Sequence, residues 1–373
     1  MKSKWMHSIV VALLAASFAL NGASVAAAAG DDGAVYTLTN NAAGNEVVIF
    51  TRAADGTLTP AGSVATGGLG TGVGLGSQGA LTLSANHRWL FAVNAGSNEL
   101  SVFAVRADGL TLVDKVPSGG AHPISVTNYK DLVYVLNDGG SGNISGFTLG
   151  ENGKVAPIAN STRNLSNNGS GAAPGPAQIS FSPDGAALVV TEKNTNLVDT
   201  FQVGEDGVAG DVTTHPSAGV TPFGFAFTRD GTLIVSEAAG GAVNASSASS
   251  YDVSQDDFAL ISAAVPTQQT AACWAVATKN GKYAYTANAG SGSLSLYGVG
   301  RDGGLTLLSS AAGSTGAGSH PSDMALSNNS RFLYALANVT QSIGAFAVQA
   351  DGSLSAVGGA SGLPATAVGL AAW

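Results

Sequence analysis

The stretch Leu90-Phe-Ala-Val-Asn94 … Leu100-Ser-Val-Phe-Ala-Val105 … Asp108-Gly-Leu-Thr-Leu112 decides the fold, because the chain writes it again. A second plain copy reads Tyr283-Ala-Tyr-Thr-Ala-Asn288 … Leu294-Ser-Leu-Tyr-Gly-Val299 … Asp302-Gly-Gly-Leu-Thr-Leu307. In each, an alternating apolar run ends in a polar residue and a Gly/Ser/Asn loop follows. A second alternating run, an Asp-Gly turn and a third run complete the unit. Alternation with period two is the mark of a half-buried strand.

The polar residues that close the first of these runs can be followed through the whole chain: Asn40, Asn94, Asn137, Glu192, Glu237, Asn288 and Asn338. Two turn series keep the same register. One holds Asp55-Gly56, Asp108-Gly109, Asn152-Gly153, Asp206-Gly207, Asp302-Gly303 and Asp351-Gly352; the other holds Asp184-Gly185, Asp230-Gly231 and Asn280-Gly281. Asn-Gly and Asp-Gly suit tight hairpins because both residues tolerate positive φ. A repeat of strands and turns at roughly 40–55 residues predicts an all-β propeller of four-stranded antiparallel blades.

The first unit, from Val35, has no opening strand, and Thr366-Ala-Val-Gly-Leu-Ala-Ala-Trp373 is an opening strand with nothing after it. Joining the two leaves no open edge, so seven blades are expected in one domain over residues 34–373. Gly67 to Gly79 and Asn164 to Pro176 read as mobile loops, and Ala238 to Ser250 as a third loop or a degenerate strand.

Lys2 and Lys4, the apolar run Ile9 to Leu20 and the small residues Ala23 to Ala29 have the three-part layout of a secretory signal peptide, expected over residues 1–28. The apolar run is short for a membrane span. A periplasmic or secreted protein is expected, with no membrane attachment after processing. The formal charge is −9, which argues against nucleic acid as a partner. One cysteine, Cys273, allows no internal disulfide, and its apolar neighbours mark it as core. The expected state is a monomer whose partner is a small polar molecule.

In a propeller, the loops after the second strands and the connections between blades share one rim of the central channel. Asn94, Asn137, Asp138, Glu192, Lys193, Asn194, Glu237, Asn288 and Asn338 therefore converge on a natural small-molecule site. The asparagines serve equally well as caps of their own loops. Glu192 and Glu237 replace asparagine at its repeat position. Facing the channel, they would suit general acid/base chemistry; Lys193 could instead neutralise Glu192 as an ion pair. His122, His215 and His320 each precede a proline in what read as inter-blade connections. Proline biases its predecessor to extended backbone, which explains the dipeptide without a metal. No nucleophile elbow or P-loop is present, and Gly70 to Gly76 lacks a surrounding βαβ unit, so no cofactor and no metal are expected.

The asparagine closings, the turn Phe181-Ser-Pro-Asp-Gly185 and the hairpin Val102-Phe-Ala-Val-Arg-Ala-Asp108-Gly-Leu resemble the lactonase-type seven-bladed propellers, which include 6-phosphogluconolactonase-like and carboxymuconate lactonizing enzymes. The resemblance spans about residues 34–373. It implies hydrolysis of a lactone by a histidine, a glutamate and arginines on the channel rim. Glu192, in Thr191-Glu-Lys-Asn-Thr-Asn196, matches the family's acidic position, while Gln178 stands where a histidine is frequent and cannot act as a base. On this reading Glu192 is the acid/base and His122 assists it. Lys193 or Arg163 holds the carboxylate, with Asn194, Gln178, Asn137 and Glu237 contacting substrate. A small extracytoplasmic lactone is the expected substrate. The alternative is a non-catalytic propeller binding a ligand or protein partner on the same rim.

Overall fold

The structure, a computed structural model, describes residues 32–254 and 257–373. The expected leader at residues 1–28 lies outside them. The strands fall into seven antiparallel sheets. Blade 1 contains β1 (Gly33–Leu38), β2 (Glu46–Arg52) and β3 (Leu58–Ala65); blade 2 is β4 (Leu81–Leu83), β5 (Trp89–Asn94), β6 (Glu99–Arg106) and β7 (Gly109–Pro117). Blade 3 is β8 (Pro123–Tyr129), β9 (Leu132–Asn137) and β10 (Asn143–Leu149), its outer position split between β11 (Val155–Pro157) and β12 (Arg163–Asn164). Blade 4 is β13 (Pro176–Phe181), β14 (Ala187–Glu192), β15 (Leu197–Gln202) and β16 (Thr213–Pro216). Blade 5 is β17 (Pro222–Phe227), β18 (Thr232–Glu237), β19 (Ser247–Ser254) and β20 (Asp257–Pro266). Blade 6 is β21 (Ala272–Ala277), β22 (Tyr283–Asn288), β23 (Ser293–Val299) and β24 (Leu305–Ser314). Blade 7 is β25 (Pro321–Leu326), β26 (Phe332–Ala337), β27 (Ser342–Val348) and β28 (Leu354–Ser361).

The last strand, β29 (Val368–Ala372), pairs antiparallel with β1, Val35 opposite Ala372 and Thr37 opposite Leu370, so the C-terminus completes blade 1. Arg52 Nε donates to the Trp373 carbonyl at 3.1 Å and fastens the seam. Closure gives β1 a partner on both sides, which an edge strand would lack.

Burial follows position within a blade. The second strands β5, β14 and β26 are buried at every residue, whereas the outer strands β3 and β28 are mostly exposed or half-buried. Strands covered on both faces read as continuous apolar runs. Tyrosines on second strands lock neighbouring blades: Tyr134, Tyr285 and Tyr334 donate to the carbonyls of Gly207, Gly352 and Gly56 in the next blade's outer turn, at 2.7, 2.6 and 3.0 Å. Those turns need glycine twice over. Gly56 has φ +89°, and a Cβ there would lie 2.3 Å from the Phe332 ring. A tight turn and a close inter-blade approach thus coincide in one residue.

Candidate functional site

In blades 3 to 7 the residue just before the inner strand is left-handed. His122, Gly175, Thr221, Ala271 and His320 have φ of 55°, 70°, 60°, 56° and 55°. His122 and His320 thus depart from the extended backbone expected before proline. The reason is the hydrogen bonding: the His122 carbonyl accepts from Asp138 N–H (3.1 Å), Gly175 from Lys193 (2.9 Å), Thr221 from Ala238 (2.9 Å) and Ala271 from Ala289 (2.8 Å). Asn98 and Asn196 side chains hold the N–H groups of His122 and Thr221, each at 2.7 Å. Each connection is thereby tied to the loop after its own blade's second strand, on one face of the ring, called here the upper face.

This tie brings His122 against Asp138, whose carboxylate contacts Nδ1. The aspartate is the main reason the imidazole pKa is raised; partial burial opposes it. Lys193 occupies in blade 4 the slot that Asp138 fills in blade 3. Its ammonium lies 4.9 Å from the Phe223 ring centroid and donates to the Gly76 carbonyl at 2.7 Å. Burial holds its pKa down, against the attraction of Asp138. Phe223 packs on Trp274 (5.3 Å), which meets the exposed His320 edge-on (6.5 Å). Cys273 beneath is buried, its thiol pushed up to about 12, and stays a core residue.

The segment between β3 and β4, expected to be a mobile loop, is a strap laid across the channel. Asn40 exchanges hydrogen bonds with Thr71 (2.9 and 3.0 Å) in blade 1. Ser77 Oγ donates to the Ile124 carbonyl (2.8 Å) in blade 3, and Trp274 Nε1 in blade 6 donates to the Ser77 carbonyl (3.0 Å). Gln78 spans the lumen: Nε2 donates to the Ala275 carbonyl (2.8 Å), and Ala275 N–H donates to Oε1 (3.1 Å). Gly224 is required beside it, since a Cβ there would sit 2.0 Å from Gln78 Oε1. Below the strap the lumen continues as a cavity of about 540 Å³ that opens on the lower face.

The two glutamates do not converge on the channel. Glu192 is fully buried; its carboxylate accepts from Ser166 N–H (3.1 Å), Ser166 Oγ (2.5 Å) and Thr195 Oγ1 (2.6 Å) and lies against Asp199 inside the blade. Glu237 is equally buried, bonded to Gly219 N–H (2.9 Å) and to the hydroxyls of Ser247 and Ser249. Burial raises its pKa. The residues closing these strands turn into the blade rather than into the lumen. Asn137 follows the same rule, bonded to Ser118 (2.7 Å) and Asn143 (2.8 Å).

Gln178 does line the lumen, where it bonds Phe225 N–H (2.7 Å) and carbonyl (3.0 Å) on the next inner strand. Asn194 is exposed on the upper face beside Lys193. Arg163 lies away from the rim, on β12 at the blade 3–4 boundary, with Nε donating to the Gly210 carbonyl at 3.0 Å. His215 also leaves the rim: it sits on the outer strand β16, bonded to Thr200 (3.0 Å) and stacked on Phe258 (4.1 Å). Among the described residues no cluster of three metal-ligating side chains occurs.

The site missed by sequence reasoning is therefore Asp138 as the partner of His122, together with Gly76 to Gln78. The repeat register carried a signal for Asp138, which shares its slot with Lys193. Nothing local marks Ser77 or Gln78.

These features define a ring-closed, seven-bladed propeller with charged and aromatic side chains above a strapped channel. The chain belongs to the lactonase family of seven-bladed β-propellers, whose sequence pattern it matches over residues 35–166 and 141–240. No curated protein matches it. Among solved structures, it is similar to a candidate 6-phosphogluconolactonase of Bacteroides fragilis NCTC 9343, with 19% identity, TM-score 0.71, and 92% of this chain and 98% of that one covered. It is similar also to the periplasmic gluconolactonase of Pseudomonas aeruginosa, with 15% identity, TM-score 0.69, and 91% and 99% covered. At such identity these two likenesses speak for the fold; membership of the family supports a lactonase-type function.

Proposed function

We infer that the chain hydrolyses a small extracytoplasmic lactone on the upper rim, and that the His122–Asp138 pair beside Lys193 carries the reaction. Asp138 engages Nδ1, which leaves Nε2 as the basic nitrogen. Nε2 takes a proton from water as the water oxygen attacks the lactone carbonyl. The ring C–O bond then breaks, and the imidazolium returns its proton to the departing alkoxide. The product is an open hydroxy acid. Lys193 keeps N–H donors beyond the one given to Gly76, so its ammonium can meet the oxyanion and then the carboxylate. Burial strengthens that interaction relative to one in water. Asn194 stands beside it as a polar contact. Glu192 supports this site from behind: it anchors the start of the loop that carries Lys193.

The strap favours a second reading. With the lumen crossed by Gln78, His122 and Lys193 stand above the strap rather than inside an open channel, an arrangement equally suited to binding a polar ligand. Turnover of aldono-, acyl-homoserine and aromatic lactones by the processed protein separates the two. Acid release on any of them supports hydrolysis; a folded protein that releases none supports binding alone.

A further inference from the structure

The lower face carries a second site that the lactonase reading does not use. The turns joining first to second strands surround the lower mouth of the channel, and six cations ride on them: Arg88, Lys130, Arg229, Lys279, Lys282 and Arg331. For a chain of formal charge −9 this is a local reversal. It is steepest on the arc of blades 5 to 7. There a cavity of about 430 Å³ is lined by Arg229, Lys279 and Arg331 together with Thr278, Asn280, Tyr283, Asn329 and Ser330, and by no carboxylate. Lys279 and Ser330 also line the mouth of the channel cavity, so the two spaces are neighbours.

The nearby acids do not cancel this field. Asp351, on the neighbouring outer turn, keeps its charge but stands outside the cavity lining, its Oδ1 accepting from Ser353 N–H (3.0 Å) and Oγ (2.7 Å). Asp230 and Asp351 are two charges against the four of Arg229, Lys279, Lys282 and Arg331. Asp323, the carboxyl in the channel cavity, is fully buried, and burial pushes its pKa up to about 8, which favours its neutral form. Lys279 Nζ bonds the neutral Asn328 Oδ1 at 3.1 Å, and its charge, after burial, helps hold the His87 pKa down. Three cations converging from three blades on a concave, hydroxyl- and amide-rich surface are the chemistry of oxyanion recognition.

We propose that Arg229, Lys279 and Arg331 form a binding site for a small molecule bearing a phosphate, sulfate or carboxylate group, with the rest of the ligand directed into the lower channel. The site is independent of His122 and Lys193, which lie on the opposite face beyond the strap.

The test is calorimetric titration of the processed protein at low ionic strength with inorganic phosphate, inorganic sulfate and gluconate as probes. These three also rank the oxyanion types. At least one should bind saturably, and the triple variant Arg229→Ala/Lys279→Ala/Arg331→Ala should weaken it at least about tenfold. The side chains are exposed, so folding should persist and is checked by circular dichroism. Lys279→Arg, which keeps the charge, should bind within a few-fold of the parent. The control Arg106→Ala/Arg301→Ala, which removes charge from the outer turns, should leave binding unchanged, and Lys193→Ala should leave the binding of phosphate and of sulfate unchanged. No saturable binding of any probe would overturn the proposal. So would equal loss in the outer-turn control, which indicates bulk charge, or loss of phosphate or sulfate binding in Lys193→Ala, which places the anion on the upper face.

Discussion

Glu192 and Asp199 lie against one another inside blade 4, both fully buried, and neither carboxyl oxygen of Asp199 has a hydrogen-bond partner among the described residues. In blades 2 and 6 the corresponding pairs are Asn94 with Ser101 and Asn288 with Ser295, at 2.8 and 2.9 Å. Exchanging an amide and a hydroxyl for two neighbouring buried carboxyls favours keeping a proton on one of them. Asp199 keeps it: burial first, then Glu192, push its pKa up to about 9.

Because that folded-state value lies above the ordinary 3.8, the folded chain holds a proton that the unfolded chain releases. The stabilisation is full below about pH 4 and is lost as the pH rises towards 9. Asp199→Asn should donate to Glu192 without needing a proton. Urea unfolding across this range should then give a flatter profile, with the variant more stable than the parent at pH 8 by about 1–3 kcal/mol.

The acid limb of the pH–rate profile should belong to His122. Its raised pKa means that the basic form is lost below a value higher than the usual 6.5, so kcat/KM should rise with pH through that point. Asp138→Asn removes the cause of the increase and leaves burial to act alone. The limb should shift to lower pH, and the rate at its plateau should fall by about 10² or more. An unshifted limb would separate His122 from the chemistry.

Gln78 is expected to matter far more than a loop residue should. Gln78→Ala leaves both the N–H and the carbonyl of Ala275 without their partner inside the lumen. That should cost about 2–4 kcal/mol in denaturant unfolding. Amide exchange should quicken at Ala275 while β14 in blade 4 stays protected.

The C-terminal strand should likewise be essential. Removal of residues 366–373 strips β1 of one neighbour and exposes the pocket of the buried Val368 and Leu370. Those two side chains alone contribute about 4 kcal/mol. The truncated chain should melt well below the parent.

The blades were legible in the sequence because their signals are local and repeated. Asp-Gly turns, alternating runs and polar closings each sit within one unit, and the unmatched strand at Thr366 to Trp373 required a partner at Val35. Parity was the first thing the pattern hid. Asn94, Glu192 and Glu237 end strands buried on both faces, so alternation did not say whether they face the lumen or the blade. Loop composition hid the strap: Gly67 to Gly79 reads as flexible, yet Gln78 finds its partner 197 residues away. The dipeptide His122-Pro123 misled through backbone preference, which Asn98 and Asp138 override with two hydrogen bonds. The family position of Glu192 was legible and its side-chain direction was not, and for that reason the proposed reactive role falls on a histidine whose partner lies 16 residues on.

The most direct measurement is the rate of lactone opening, on the best substrate of the panel, by His122→Gln and Glu192→Gln beside the parent chain, with folding checked for each. The account predicts a loss of about 10² or more in kcat/KM for His122→Gln. For Glu192→Gln it predicts a rate within a few-fold of the parent, with lowered stability. Retained turnover in His122→Gln, with turnover abolished in a folded Glu192→Gln, would contradict it and return the chemistry to the buried carboxylate.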